Sequence, residues 1–271
     1  MTRQQLIAQI EKKQSLLCVG LDTDVNRIPP HLLTADLPQF EFNKAIVDAT
    51  AQYAIAYKPN LAFYESQGIT GWQSLIQTVK YIRTHYPDVF VIADAKRGDI
   101  GNTSTQYAKT FFETIEFDAV TLSPYMGQDV VNPFLTYREK WIILLALTSN
   151  ASADAIQQFT DTEGTPLYEH VLEVSKHWGS EDNTMYVVGA TKAEWLEHIR
   201  KIVPQHFLLV PGIGAQGGRL EDVIRYGKNS DYGLIINSSR GIIFSNEHPQ
   251  YDKAAEIAAK KLQEEMKALL F

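Results

Sequence analysis

The stretch FVIADAKRGDIGNT, residues 90–103, decides the fold. From Phe90 to Ala95 it is apolar except for one aspartate. It then turns charged at Lys96 and passes through two glycines toward a helical pattern. A short apolar run that ends in charge and leads into a helix is the repeating unit of a parallel α/β sheet. Side chains of a strand alternate between faces, so Phe90, Ile92, Asp94 and Lys96 are predicted to share one face, with Val91, Ala93 and Ala95 on the other. The second set suits packing under helices. The first carries Asp94 and Lys96 side by side to one end of the strand, and Asp99 follows in the loop, giving D-x-K-x-x-D.

Working outward, the same unit is found again and again. Eight apolar, β-rich runs can be read: Leu16–Asp22, Ile55–Asn60, Phe90–Lys96, Ala119–Pro124, Trp141–Thr148, Met185–Ala190, Leu208–Gly214 and Leu234–Arg240. Helical patterns separate them, among them FEFNKAIVDATAQY, WQSLIQTVKYIRTHY, TSTQYAKTFFETI, PLYEHVLEVSKHW and KAEWLEHIRKIV. Regular alternation implies parallel pairing with right-handed crossovers, and eight units close naturally into a (β/α)₈ TIM barrel. A doubly wound sheet is the structural rival. No Ser/Gly linker, low-complexity tract, charge block or close repeat divides the chain, so residues 1–271 are read as one α/β barrel domain. The N-terminal segment and the helix-like Tyr251–Leu270 are left over, to pack on the outside or across the barrel floor. The long stretch between Thr148 and Thr165 is a candidate lid.

Composition narrows the function classes. The chain has 271 residues, is 45% hydrophobic and carries a net charge of −7, with no basic stretch to suggest a nucleic-acid surface. Its longest apolar run, Trp141 to Leu147, is far short of the ~20 residues of a membrane span. The opening MTRQQLIAQIEKKQ is polar, without the apolar core of a secretion signal, and the one cysteine, Cys18, fits a reducing cytosol. A cytoplasmic protein is expected.

Charge gathers at the strand ends. Asp22, Lys58, Asp94 with Lys96, Ser149 and Arg240 stand at or just past the C-terminal ends of five runs, the face where barrel enzymes build their active sites. One such residue says little, since a charge often marks where a strand leaves the core. The set argues for a site. On the second run Ala54, Ala56, Lys58 and Asn60 share a face, so Lys58 reaches the same mouth as Asp94 and Lys96. An opposite-charge pair at ~4 Å is worth about 4 kcal/mol at an effective dielectric of 20, enough to keep each member ionised. An alternating Lys–Asp–Lys–Asp order is therefore expected. Across the mouth the seventh run ends PGIGAQGG, residues 211–218, whose glycines let backbone amides approach an anion. The eighth ends INSSRG, which sets Arg240 beside that loop, where barrels commonly hold phosphate. The expected substrate carries a phosphate monoester.

Metal and nucleophile chemistries find less support. The seven histidines (His31, His85, His170, His177, His198, His206 and His248) show no ligand spacing and are read as solvated or helix-facing. Cys18 falls below the mouth, in the core. There is no G-x-S-x-G elbow and no G-x-G-x-x-G fingerprint.

Taken together, CVGLD around Asp22, KPNLAFYE from Lys58, ADAKRGDIGNT from Ala93, LTSN from Leu147, PGIGAQGG and NSSRG resemble the orotidine 5′-phosphate decarboxylase family, in its longer bacterial form. The likeness spans essentially the whole chain. It departs at Ala151–Asp154, where many relatives have a Pro-Gly turn. The D-x-K-x-x-D element alone marks only the wider phosphosugar-barrel superfamily. The resemblance implies loss of CO₂ from C6 of orotidine 5′-phosphate to give UMP, the last step of de novo pyrimidine synthesis, with no metal or organic cofactor. It implies Lys96 as proton donor to C6, Asp94 against the departing carboxylate, and Lys58 and Asp99 completing the charge network. Asp22 would bind a ribose hydroxyl, with Asn60 beside it. Ser149, with Thr148, would face the pyrimidine. Gln216 would span base and phosphate, and Arg240 would hold the phosphate with Gly217 and Ser239. Asp99 and Thr103 would come from a neighbouring subunit, making a homodimer the working unit. Two rival readings remain: a Mg²⁺-dependent sugar-phosphate decarboxylase or aldolase of the same superfamily, and a barrel that binds nucleotide without catalysis.

Overall fold

A computed structural model of the chain describes residues 1–213, 218–246 and 249–271, apart from the side chains of Lys192 and Ala193. Eight parallel strands follow one another around a closed ring. They are β1 (Leu17–Leu21), β2 (Ala56–Pro59), β3 (Phe90–Arg97), β4 (Ala119–Leu122), β5 (Trp141–Leu147), β6 (Thr184–Val188), β7 (Phe207–Pro211) and β8 (Leu234–Ser238), and β8 pairs back onto β1. Each predicted run holds one strand. The strands stop one to three residues short of the predicted ends at several C-termini, where the polar residues of the mouth begin.

Helix α1 (Arg3–Lys13) precedes the ring. The crossovers carry α2 (Pro38–Thr50), α3 (Ala62–Glu65), α4 (Gly68–His85), α5 (Gly101–Lys109), α6 (Gln128–Leu135), α7 (Asp154–Gln157), α8 (Leu167–Ser175), α9 (Ala193–Ile202) and α10 (Leu220–Gly227), and α11 (Arg240–Ile243) and α12 (Tyr251–Leu270) follow β8. Sequence explains these helices locally. In α4 the buried Gly71, Ser74, Leu75, Thr78, Val79 and Ile82 recur at helical spacing and form one stripe against the ring. In α1 the Thr2 side chain accepts from the Gln5 amide while the Gln5 side chain reaches back to the Thr2 amide, so two orphan donors are satisfied together. Helix α12 lies on the outside against α2, with Tyr251 stacked on Phe42 at 5.0 Å. Among the described residues no helix is long and apolar enough to cross a membrane.

The barrel floor is a packed aromatic layer from alternate strands. Phe90 of β3 meets Trp141 of β5 edge-on at 6.2 Å, and Trp141 meets Phe207 of β7 at 6.4 Å. The start of the chain seals it from below. Trp141 Nε1 donates to the Met1 carbonyl at 2.8 Å, and the Arg3 guanidinium lies 5.1 Å over the Phe207 ring. Arg3 also donates to the carbonyls of Glu181 and Gln205, both at 2.7 Å. Burying each large aromatic contributes about 1.5–3 kcal/mol, so the floor stabilises a ring whose other end is charged.

Two sequence expectations are corrected. Strict alternation along Phe90–Lys96 holds to Asp94 and then breaks. The step from Ala93 to Arg97 on β3 faces only the step from Val120 to Leu122 on β4, and Lys96 takes a left-handed φ of 49°. His206, read as solvated or helix-facing, is only 7% exposed and lies against the Tyr186 ring at 5.5 Å. Both its ring nitrogens are buried without a hydrogen-bond partner, and burial pulls its pKa down to about 4. His248 lies outside the described residues. An unfolded histidine near pH 6.5 takes up a proton that the folded one refuses until about pH 4, so this group costs stability as pH falls through that window. We expect His206→Phe to flatten the decline of unfolding free energy between pH 7 and 4 relative to the parent protein, by roughly 3 kcal/mol at most, seen as a smaller fall of the thermal midpoint. Parallel melting curves for the two proteins would contradict the assignment.

Candidate active site

The mouth of the barrel is built from strand ends that change from apolar to charged within one or two residues. Asp22, Lys58, Asn60, Asp94, Ser239 and Arg240 line one cavity of about 160 Å³, together with Gly212 and Asn237. Four charges form a chain of alternating sign. Lys58 Nζ lies 2.8 Å from Asp94 Oδ2 and 3.9 Å from Asp22 Oδ1, while Lys96 Nζ lies 2.5 Å from Asp94 Oδ1. The order within one chain is thus Asp22–Lys58–Asp94–Lys96. Asp22 adds a carboxylate at the Lys58 end of the chain, and the place beyond Lys96, which the sequence reading gave to Asp99, holds no carboxylate paired with Lys96 among the described residues of this chain.

Burial and charge oppose each other here, and charge wins. Burial works against the Lys58 ammonium, but Asp94 and Asp22 outweigh it and hold its pKa above the ordinary lysine value. Burial likewise works against the Asp94 carboxylate, but Lys58 and Lys96 hold it well below the usual carboxylate range. Both groups stay ionised at neutral pH. Cys18 lies in the core as expected, and burial pushes its thiol up to about 12, so it stays protonated and inert. Among the described residues no His, Cys, Asp and Glu side chains are grouped so as to hold a metal ion.

Two of the cavity-lining residues carry an oxygen without a hydrogen bond, one of them the Asp22 oxygen that Lys58 approaches to 3.9 Å. Asp22 Oδ1 and Asn237 Oδ1 are buried without hydrogen-bond partners, the condition of groups that await a donor. Asn237 was missed by sequence reasoning, although a lone amide at the end of the apolar run LIIN was a legible signal. Gly20 makes room for it: a Cβ there would come within 3.0 Å of Asn237 Oδ1 and 2.7 Å of Ser239 Cβ. That close approach explains the glycine of CVGLD. Ser239 donates its hydroxyl to the Gly20 carbonyl at 3.0 Å, stitching β1 to the turn before α11. The next residue, Arg240, is exposed and has no ion pair among the described residues. Gly212 has φ +98°, and the loop it opens continues into Gly214, Gln216 and Gly217, which lie outside the described residues.

The other sequence candidates stand apart from the cavity. Thr148 is clamped by Gln157 of α7: its amide donates to Gln157 Oε1 at 2.7 Å, and Gln157 Nε2 donates to its hydroxyl at 2.9 Å. Ser149 packs beside Gly189, where a Cβ would come within 2.7 Å of the Ser149 Cβ. Asp99 Oδ1 accepts from the Ile100 amide at 2.7 Å and makes no ion pair among the described residues. Thr103 is exposed on α5.

A closed ring of eight parallel strands with a Lys/Asp chain at the C-terminal ends defines a (β/α)₈-barrel enzyme. The family model of the "Orotidine 5′-phosphate decarboxylase / HUMPS family" matches residues 15–255. The chain belongs to that family. It is 58% identical over 270 residues to the orotidine 5′-phosphate decarboxylase of Phocaeicola vulgatus, covering 100% of this chain and 99% of that one. The structure of Leishmania donovani OMP decarboxylase is similar with a TM-score of 0.84 and 35% identity, covering 99% of both chains. Leishmania donovani UMP synthase matches with a TM-score of 0.86 and 36% identity over 98% of this chain, which spans only 55% of that longer protein.

Proposed function

We propose that the chain decarboxylates orotidine 5′-phosphate to UMP and CO₂ in pyrimidine biosynthesis, without a cofactor. The observation that carries this reading is the Asp22–Lys58–Asp94–Lys96 chain, fixed in charge and position beside Arg240. The bond from C6 to the carboxyl carbon breaks, its electron pair stays on C6 in the ring plane, and CO₂ departs. No carbonyl is placed to delocalise that pair. The Lys96 ammonium stabilises it electrostatically and then transfers its proton to C6, regaining one from water afterwards. Asp94, held anionic by two lysines, stands against the leaving carboxylate. Asp22 and Asn60 take ribose hydroxyls, in keeping with the unsatisfied Asp22 oxygen. Arg240, Ser239, Gln216 and Gly217 hold the phosphate, whose binding energy is spent on assembling the site. Ser149, with Thr148, faces the pyrimidine.

We further propose a homodimer in which Asp99 and Thr103 complete the site of the partner subunit. Support comes from the absence of an ion pair for Asp99 among the described residues and from the apolar rim around it. Ile100, Tyr125 and Met126 are 62%, 86% and 48% exposed on the adjacent loops after β3 and β4, an apolar surface of the kind that marks an interface.

The ultraviolet change on adding orotidine 5′-phosphate to EDTA-treated protein tests the reaction. We expect full turnover after metal stripping. UMP binding without CO₂ release, or activity only with added Mg²⁺, would favour one of the two rival readings instead.

A further inference from the structure

Thr121 of β4 makes no contact with the mouth cavity, yet every hydrogen-bonding capacity of its hydroxyl is spent on β3. It is 1% exposed. Its Oγ1 accepts from two successive amides, those of Ala95 and Lys96, both at 2.9 Å. It donates to Asp94 Oδ1 at 3.1 Å, the oxygen that Lys96 also binds, and more distantly to the Ala93 carbonyl at 3.5 Å. A hydroxyl has two acceptor sites and one proton. Because two backbone amides fill the acceptor sites, the proton is aimed by the backbone and turns to Asp94.

This arrangement answers two structural problems at once. The ladder between β3 and β4 is interrupted from Ala93 to Arg97, which would leave the amides of the bulge unpaired in a buried place. Lys96 adopts a left-handed backbone that side chains other than glycine rarely take, and such a conformation persists only where its surroundings impose it. Thr121 supplies the missing acceptor. On the far side Arg97 donates to the Ala95 carbonyl at 2.9 Å and pairs with Glu65, so the bulge is held from both directions.

We infer that Thr121 is a positioning residue for the reaction: it sets the backbone that aims Lys96 and fixes the plane of the Asp94 carboxylate between the two lysines. The inference rests on the reading that Lys96 and Asp94 carry the chemistry. Its sequence signal was a single hydroxyl in the apolar run AVTL. A displacement of about 1 Å in a reacting group costs on the order of 10²-fold in rate. Ligand affinity that depends on phosphate and ribose contacts is untouched by it.

The test compares Thr121→Val, which keeps the shape and removes the hydroxyl, with Thr121→Ser, which keeps the hydroxyl. Turnover of orotidine 5′-phosphate, the affinity for UMP and the circular dichroism spectrum are measured for each. Thr121→Val is expected to lose about 10²-fold in kcat with UMP affinity within about twofold of the parent, and Thr121→Ser to recover most of the rate. If Thr121→Val does not fold, Thr121→Ala takes its place under the same criteria. A folded Val or Ala variant with kcat close to the parent, a parallel loss of kcat and UMP affinity, or a serine variant as slow as the valine one would overturn the inference. Failure of the parent protein itself to release CO₂ would strike the proposed function instead, so the two outcomes are separable.

Discussion

Replacing Lys96 with alanine is expected to lower turnover by about 10⁴-fold or more while the protein folds and binds UMP as before. Two contributions vanish together: the proton for C6 and the fixed positive charge beside the developing carbanion. The fold should tolerate the loss because the Lys96 side chain is 49% exposed, and an ion pair so open to water contributes within about 1 kcal/mol. Asp94 is not stranded, since Lys58 stays at 2.8 Å and Thr121 at 3.1 Å. Lys58 would be a poorer probe. Its side chain is 5% exposed, and removing one partner of a buried pair costs about 3–5 kcal/mol, which mixes stability with chemistry. The measurement is single-turnover decarboxylation beside a melting curve and a UMP titration. A Lys96→Ala protein with more than about a hundredth of the parent rate would remove Lys96 from its assigned role.

Mixing two dead proteins is expected to restore activity. Lys96→Ala and Asp99→Ala should each be nearly inactive alone. If a working site takes Lys96 from one subunit and Asp99 from the other, a hybrid dimer holds one site with both lesions and one with neither. Random exchange of equal amounts makes half the dimers hybrid, so roughly a quarter of the parent activity should return. The physical ground is that Asp99 stands next to the exposed Ile100 and makes no ion pair in its own chain among the described residues. Subunit exchange is verified by mass-tagging one variant. No recovery despite verified exchange would show that each site is made within one chain.

Much of the fold was legible because buried parallel strands read as short apolar runs between amphipathic helices. LCVGL, WIILLAL and LIINS need no long-range knowledge to be recognised. The runs that end at Pro124 and Arg240 were read past the strands, because the hydrogen-bonded ladder stops at Leu122 and Ser238, where the chain turns into the polar mouth. At the mouth the outcome is more instructive. Asp94 and Lys96 were rightly expected together but for the wrong reason: alternation fails after Asp94, the backbone that joins them is a bulge with a left-handed lysine, and nothing in ADAKRG announces it. The bulge depends on a hydroxyl from a strand whose register only the closed ring fixes. Asp22 was legible as a charge at the mouth and meets Lys58 because β1 pairs with β2, whereas Asn237 required knowing that β8 lies beside β1. The buried His206 escaped notice because a histidine before an apolar strand looks the same whether it turns outward or inward.

The pairing of β8 with β1 also bears on when the protein becomes active during its synthesis. Asp22 and Lys58 belong to the first strands translated, and Arg240 follows the last, yet all three line one pocket. A nascent chain halted before β8 contains the residues of the Lys/Asp chain but neither the wall opposite them nor the partner that seals β1. Such an intermediate exposes two sheet edges to the crowded exit of the ribosome and has no complete substrate pocket. The strand that pairs with β1 to close the ring therefore also brings the last wall of the pocket, so edge protection and a complete pocket depend on the same element.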